Sequence, residues 1–217
     1  MPAAVSASSS PTQLFASILT AARAERSVHY ATSTNLGSVR VSQVSDAGVA
    51  EGIQRITFRS GAKTGHVTVI VSADTAYIRG DTFTLINYMG FKAIPAAKYA
   101  GMWVLIPRTD HDFSTVAAGV RLSSTIDQLK LSGPLAKVPD TKINGQRVIG
   151  VRGKEPSTPG QTVVATLYAR AAGSPLPVKE VVGQGNMRST VTFSNWNEPI
   201  HLPTPTTAVP ISTTGLE

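Results

Sequence analysis

The sequence predicts an α+β domain in which a block of helices separates two halves of an antiparallel sheet. Three observations carry this. Ser10-Pro11-Thr12-Gln13 has the residue order of a helix start, with an apolar stripe behind it. Runs of alternating apolar and polar residues, punctuated by Gly, Asn and Asp, recur on both sides of the chain's middle. Between Asp81 and Lys130 that alternation gives way to helical spacing.

In order, Ser10 serves as N-cap, Pro11 as the first helical residue and Gln13 as the reciprocal cap. Leu14, Ile18 and Ala22, flanked by Phe15 and Leu19, give the buried stripe of a helix to about Arg23. A β meander follows through Val28 to Thr32, Val39 to Val44, Gly52 to Arg59, His66 to Ser72 and Ala76 to Arg79. Its turns are supplied by residues 60–65 and 72–75. Asp81 can cap a helix carrying Leu85, Ile86 and Met89 and ended by Gly90. A helical turn at 95–100 and a strand at 103–106 stopped by Pro107 come next. Two short helices are predicted over 114–119 and 123–131, the second capped by Ser123 or Ser124. Strands resume around Asn144-Gly145, the clearest hairpin signal in the chain. Residues 162–170, 178–182 and 188–194 complete the sheet.

The chain's end is distinctive. Val191 and Phe193 alternate with Thr190, Thr192 and Ser194, then Trp196 precedes a break at Asn197-Glu198-Pro199 and an extended run through Pro203 and Pro205. Trp196 is expected to be largely buried and to pin the tail across a sheet edge. This segment resembles the closing part of the LppX/LprG-type actinobacterial lipoproteins and their LolA-like relatives. Asp74 to Gly80, Ala97 to Pro107 and the hairpin Lys142 to Arg152 resemble that family's central region and second half-sheet. About three quarters of the chain follows the pattern. The resemblance implies a curved antiparallel half-barrel sheet with helices covering its concave face. It also implies a non-enzymatic role in binding lipids or other amphiphiles at the cell envelope, with transport as an extension of that role. The alternative is an envelope protein-interaction or lipid-sensing regulatory module of the same fold.

One departure is the lack of any cysteine, and so of a lipid-anchoring acceptor. Residues 1–10 have neither a basic nor an apolar segment of a signal peptide. The expectation is a flexible tether over 1–9, one domain over 10–205, and a disordered tail over 206–217 ending in a vector-encoded Leu216-Glu217. The natural protein is then exported and lipid-anchored on the membrane surface, as a monomer, with its export signal and anchoring cysteine outside this chain.

Composition narrows the classes. Hydrophobic residues make up 41% of the 217, enough for a real core, and no run approaches the ~18 apolar residues of a membrane span. Without Cys, disulfides, thiol catalysis and cysteine-bound metals are excluded. The net charge of +7 invites a nucleic-acid reading, but no two of the 20 Lys and Arg are adjacent. Single cations spread along strands and loops make no basic groove, so no nucleic-acid partner is expected; they suit a surface near anionic lipid headgroups.

Candidate chemistry is sparse. Asp110-His111-Asp112 is the one dense polar group, and it reads as a loop with Asp112 capping the next helix rather than as a metal site. His29, His66 and His201 sit singly on strand-like or extended segments. Gly183-Gln184-Gly185 precedes a strand, not a helix, and so reads as a hairpin turn. No catalytic residue, metal or cofactor is expected. A lipid site would instead need apolar volume. Its candidate wall is Tyr77, Leu85, Ile86, Met89, Phe91, Trp103, Leu105, Phe113, Val116, Leu122 and Ile126, with the Gly90 break marking Met89 and Phe91 as a mobile flap.

Overall fold

Ser10 opens the first helix as its spacing requires. Its Oγ accepts the Gln13 amide at 3.2 Å, and the Gln13 side chain accepts the Ser10 amide at 2.9 Å. The computed structural model describes residues 9–156 and 161–214. Helix α1 (Pro11–Arg23) leads into the meander β1 (Ser27–Leu36), β2 (Val39–Gly48), β3 (Gly52–Ser60), β4 (Lys63–Val71) and β5 (Thr75–Gly80). The middle block is α2 (Thr82–Asn87), α3 (Ala93–Tyr99), β6 (Val104–Pro107), α4 (Phe113–Ala118) and α5 (Leu122–Asp127). Then follow β7 (Ser132–Ile143), β8 (Gln146–Pro156), β9 (Thr162–Arg170), β10 (Pro177–Gln184), β11 (Met187–Ser194) and β12 (Val209–Pro210), with a 3-10 turn at Ile211–Thr213.

All strands lie in one curved, unclosed sheet, ordered β12-β6-β5-β4-β3-β2-β1-β11-β10-β9-β8-β7. Among the described residues, every strand-to-strand pairing is antiparallel except β12 with β6. The two halves meet at β1 and β11, in register from His29 opposite Ser194 to Leu36 opposite Met187. The α+β half-barrel expected from the sequence is therefore the fold observed.

Period-2 alternation in the longer strands turns one face of the sheet toward the helices. Two apolar clusters form there. In the first, Ile56, Val67, Val69, Ile78, Val104 and Ile106 of the sheet meet Leu85 of α2, Tyr99 of α3, Phe113 of α4 and Ile211. In the second, Leu14 and Ile18 of α1 and Leu122 and Ile126 of α5 pack on Val28, Tyr30, Val151, Leu167 and Phe193. Gly65 on β4 allows α2 to sit down on the sheet, because a Cβ there would collide with Thr84 and Asp81. Asp81 caps α2 through Oδ1 to the Thr84 amide at 2.8 Å and Oδ2 to the His66 amide. Burial by itself would raise this carboxyl, but the His66 and Thr84 donors outweigh it and hold it below its ordinary value.

Several expectations are corrected. Neither Ser123 nor Ser124 caps α5; both lie within it, and the cap position is Arg121, which makes no side-chain cap bond. Strand β7 begins at Ser132, well before the hairpin signal that marks its end. It is an outer strand with bulges around Pro134 and Pro139, where a missing amide costs least. The segment 206–214, expected to be a disordered tail, is folded: Val209 and Pro210 pair with Val104 and Leu105, and Ile211 is 1% exposed. Trp196 is half-buried rather than largely buried. It follows β11 in the middle of the sheet, stacks on Phe193 at 6.2 Å and donates its indole N–H to the Pro177 carbonyl at 3.2 Å. The edge is covered by β12 instead. The expected tether (1–8) and vector-encoded end (215–217) lie outside the described residues.

Candidate functional site

The two apolar clusters do not merge across the concave face. Between them the inward positions turn polar, and the chain between α4 and α5 is tied down there by hydrogen bonds. The Tyr30 hydroxyl donates to the Gly119 carbonyl at 2.7 Å, and Gln54 Nε2 donates to the same oxygen at 3.0 Å. Gln43 Nε2 donates to Tyr30 Oη at 2.8 Å and to Ser45 Oγ at 3.1 Å. Beside this network the face opens into a cavity of about 300 Å³, at the lower end of the range for small-molecule sites.

Its walls come from both halves of the sheet and from α5. They are Tyr30, Thr32 and Thr34 of β1, Gln43 of β2, Glu155 of β8, Glu180 and Val182 of β10, and Ser189, Val191 and Phe193 of β11. Thr125, Gln128 and Leu129 form the helical side. Register explains the gathering: Glu180 lies opposite Val191, and Val191 lies opposite Thr32, so one inward row crosses the joint between the half-sheets. Thr34 Oγ1 and Ser189 Oγ bond each other at 2.9 Å across that joint.

Glu180 is 4% exposed, and its Oε1 has no hydrogen-bond partner; Glu155 Oε2 is likewise buried and unpartnered. Burial pushes the Glu180 carboxyl up to about 8, and the neighbouring Glu155 adds to the rise. Burial also raises Glu155, against the opposing field of Lys130. Tyr88, just after α2, is raised by burial first and then by the nearby Tyr30 phenol. Its ring and that of Phe83 pack on Phe58, 5.6 and 5.5 Å between centroids, so α2 flanks the same concavity.

The residues expected to form an apolar wall are divided by the fold. Leu85, Phe113, Leu122 and Ile126 are buried in the two clusters. Ile86, Met89, Phe91 and Val116 are half-buried against the first of them. Tyr77 and Leu105 pair across β5 and β6 on the opposite face, out of phase with the buried Ala76, Ile78, Val104 and Ile106. Trp103 lies under the Arg79 guanidinium, 5.9 Å from the ring centroid, in a surface hollow completed by Thr206 to Val209. None of the eleven lines the concave cavity.

Asp112 takes the cap position of α4 but makes no cap bond; Asp110 Oδ1 instead accepts the Asp112 amide at 3.0 Å. His111 between them is largely exposed, 3.5 Å from Asp110 and 3.3 Å from Asp112. His29 Nδ1 bonds Asp46 Oδ1 at 2.7 Å, and the nearby Ser27 hydroxyl is committed to the Glu198 carbonyl at 2.6 Å.

An open antiparallel half-barrel with helices on its concave face and a polar pocket at the joint of its halves defines the class of the molecule. Among solved structures, the lipoprotein LprF from Mycobacterium bovis shares this fold at a TM-score of 0.58 and 16% identity, over 90% of this chain and 96% of that one. The Mycobacterium tuberculosis lipoprotein LppX does so at 0.53 and 18%, over 90% and 100%. No protein-family model and no curated protein matches the sequence. The family resemblance read from the sequence is thus borne out in the fold. Among the described residues, no helix is long and apolar enough to cross a membrane.

Proposed function

We propose that this protein binds lipids or other amphiphiles without transforming them, as an exported component of the cell envelope. The observation that carries the reading is the cavity where the two apolar cores part. A ligand's polar end fits among Thr32, Gln43, Glu180 and Ser189, while Val182, Val191, Phe193 and Leu129 offer apolar surface beside it. A single close-packed core would leave no such opening. An acyl chain would extend from the pocket between α5 and α2, displacing Ile86, Met89 and Phe91 around the left-handed Gly90 (φ 76°). Leu122 and Ile126 would then form the facing wall, and α2 the flap. The likeness to two mycobacterial lipoproteins supports envelope location and, in the natural protein, a lipid anchor.

The test is mass spectrometry of an organic extract of the purified protein, together with binding of fluorescent amphiphiles of either charge and of none. Copurifying lipid or saturable binding is expected. Met89→Asp should weaken binding by at least ~2 kcal/mol, since it places a charge against the acyl path. No saturable binding across fatty acids, alkylamines, phospholipids and glycolipids would transfer the argument to the protein-interaction reading.

A further inference from the structure

The hydrogen-bonding groups of the concave pocket are unequally used. Thr34 and Ser189 satisfy each other, and the Gln43 amide N–H groups are committed to Tyr30 and Ser45. Two carboxylate oxygens remain without partners, Oε1 of Glu180 and Oε2 of Glu155. Both residues line the cavity, and Glu180 is 4% exposed. Buried polar atoms in native proteins are nearly always paired, so two orphan acceptors in one pocket mark a place for a donor.

We propose that the pocket recognises a protonated primary amine, so that the ligand is an amphiphile whose ammonium sits between Glu180 and Glu155. This rests on the amphiphile reading above and specifies its polar end. An ammonium brings three N–H donors and no acceptor, which matches acceptors left unpaired on two strands. A hydroxyl could satisfy only one of them, and a carboxylate or phosphate brings further acceptors where donors are wanted. The positive charge also supplies what this pair lacks. Lys130 acts on Glu155, yet the side chains facing Glu180 are Glu155 and neutral groups, with the Tyr30 phenol across the cavity. With the Glu180 carboxyl at about 8, the empty site carries a proton near neutral pH. An entering ammonium expels it, and affinity rises with pH as Glu180 ionises, until the ligand amine itself deprotonates.

The test is isothermal titration of the full chain with dodecylamine, dodecanol and dodecanoate, each below its micelle-forming concentration or, for the alcohol, its solubility limit. Dodecylamine should bind at least tenfold tighter than dodecanol. Its heat near pH 7 should vary with the buffer's ionisation enthalpy, reporting a released proton. Glu180→Gln should lower the dodecylamine affinity at least tenfold and abolish the proton release. Equal affinity for amine and alcohol, or an amine heat independent of buffer in the wild type, overturns the assignment while the amphiphile reading stands. Glu155→Gln provides a second variant if Glu180→Gln does not fold, and the same tenfold loss is expected of it. Butylamine binding as tightly as dodecylamine would keep the ammonium site and remove the amphiphile. Binding of none of the three would overturn the ammonium assignment, and failure of phospholipids and glycolipids as well would overturn the amphiphile reading with it.

Discussion

Glu180 gives the fold a stability that declines with rising pH. Its carboxyl sits at about 8 in the folded chain against an ordinary 4.5, so between those values the folded state holds a proton that the unfolded state has lost. Stability is therefore full below about pH 4.5 and is lost as pH climbs through 8, the reverse of the usual surface carboxylate. At about 1.4 kcal/mol per pH unit, the interval corresponds to a ceiling of about 5 kcal/mol. Glu155 titrates beside the same site, and water can enter the cavity, so about 2–3 kcal/mol is the realistic loss between pH 5 and pH 9. Glu180→Gln keeps the shape of the side chain and removes the titration. Urea denaturation followed by the fluorescence of Trp103 and Trp196 should show wild-type stability falling by that amount relative to the variant over this range. Wild type and variant losing stability in parallel from pH 5 to pH 9 would refute the placement of Glu180 in a buried, unpaired setting.

Two further outcomes follow from packing. Trp196 is only half-buried, and its indole holds the start of β10 through Pro177, so Trp196→Ala should cost about 2 kcal/mol, less than a fully buried tryptophan; a loss under 0.5 kcal/mol by denaturant titration would show that the stack on Phe193 is idle. Ile211 closes the first cluster beside β6, and Ile211→Ala should cost about 3 kcal/mol and free the outer strand, which faster protease cutting within 206–214 would report.

Local chemistry was legible in the sequence, and long-range placement was less so. The capping box of α1 and the Asp81 cap of α2 were readable because each involves residues three apart. Strand β7 was largely hidden: as an outer strand with two prolines and little buried surface, it lacks the alternation that marks a strand. The β12 pairing involves two residues and has no period at all. The pocket was missed for a different reason. Thr32, Thr34 and Gln43 look like solvent-facing residues until register turns them inward, and Glu180 is flanked by valines in both phases, at 181 and 182. The one available signal was that Glu180 shares the phase of Val182 on a strand whose neighbours are apolar. Leu105 was misplaced because a four-residue strand such as β6 gives periodicity too few points to assign a face, and Tyr77 of β5 shares the face of Leu105, its partner.

The joint between β1 and β11 also sets the order in which this chain can assemble. Strands β1 to β5 form by adjacent hairpins, and β7 to β11 do the same, so each half can nucleate locally. Their union cannot: His29 must find Ser194, 165 positions later in the chain. Until it does, β1 presents a full row of unpaired amides and carbonyls along its outer side, and the pocket has no floor. Refolding should therefore be slow at its last step, and a chain ending before Met187 should be trapped with a sticky, half-built sheet. The concave pocket comes into being only when β1 and β11 have met.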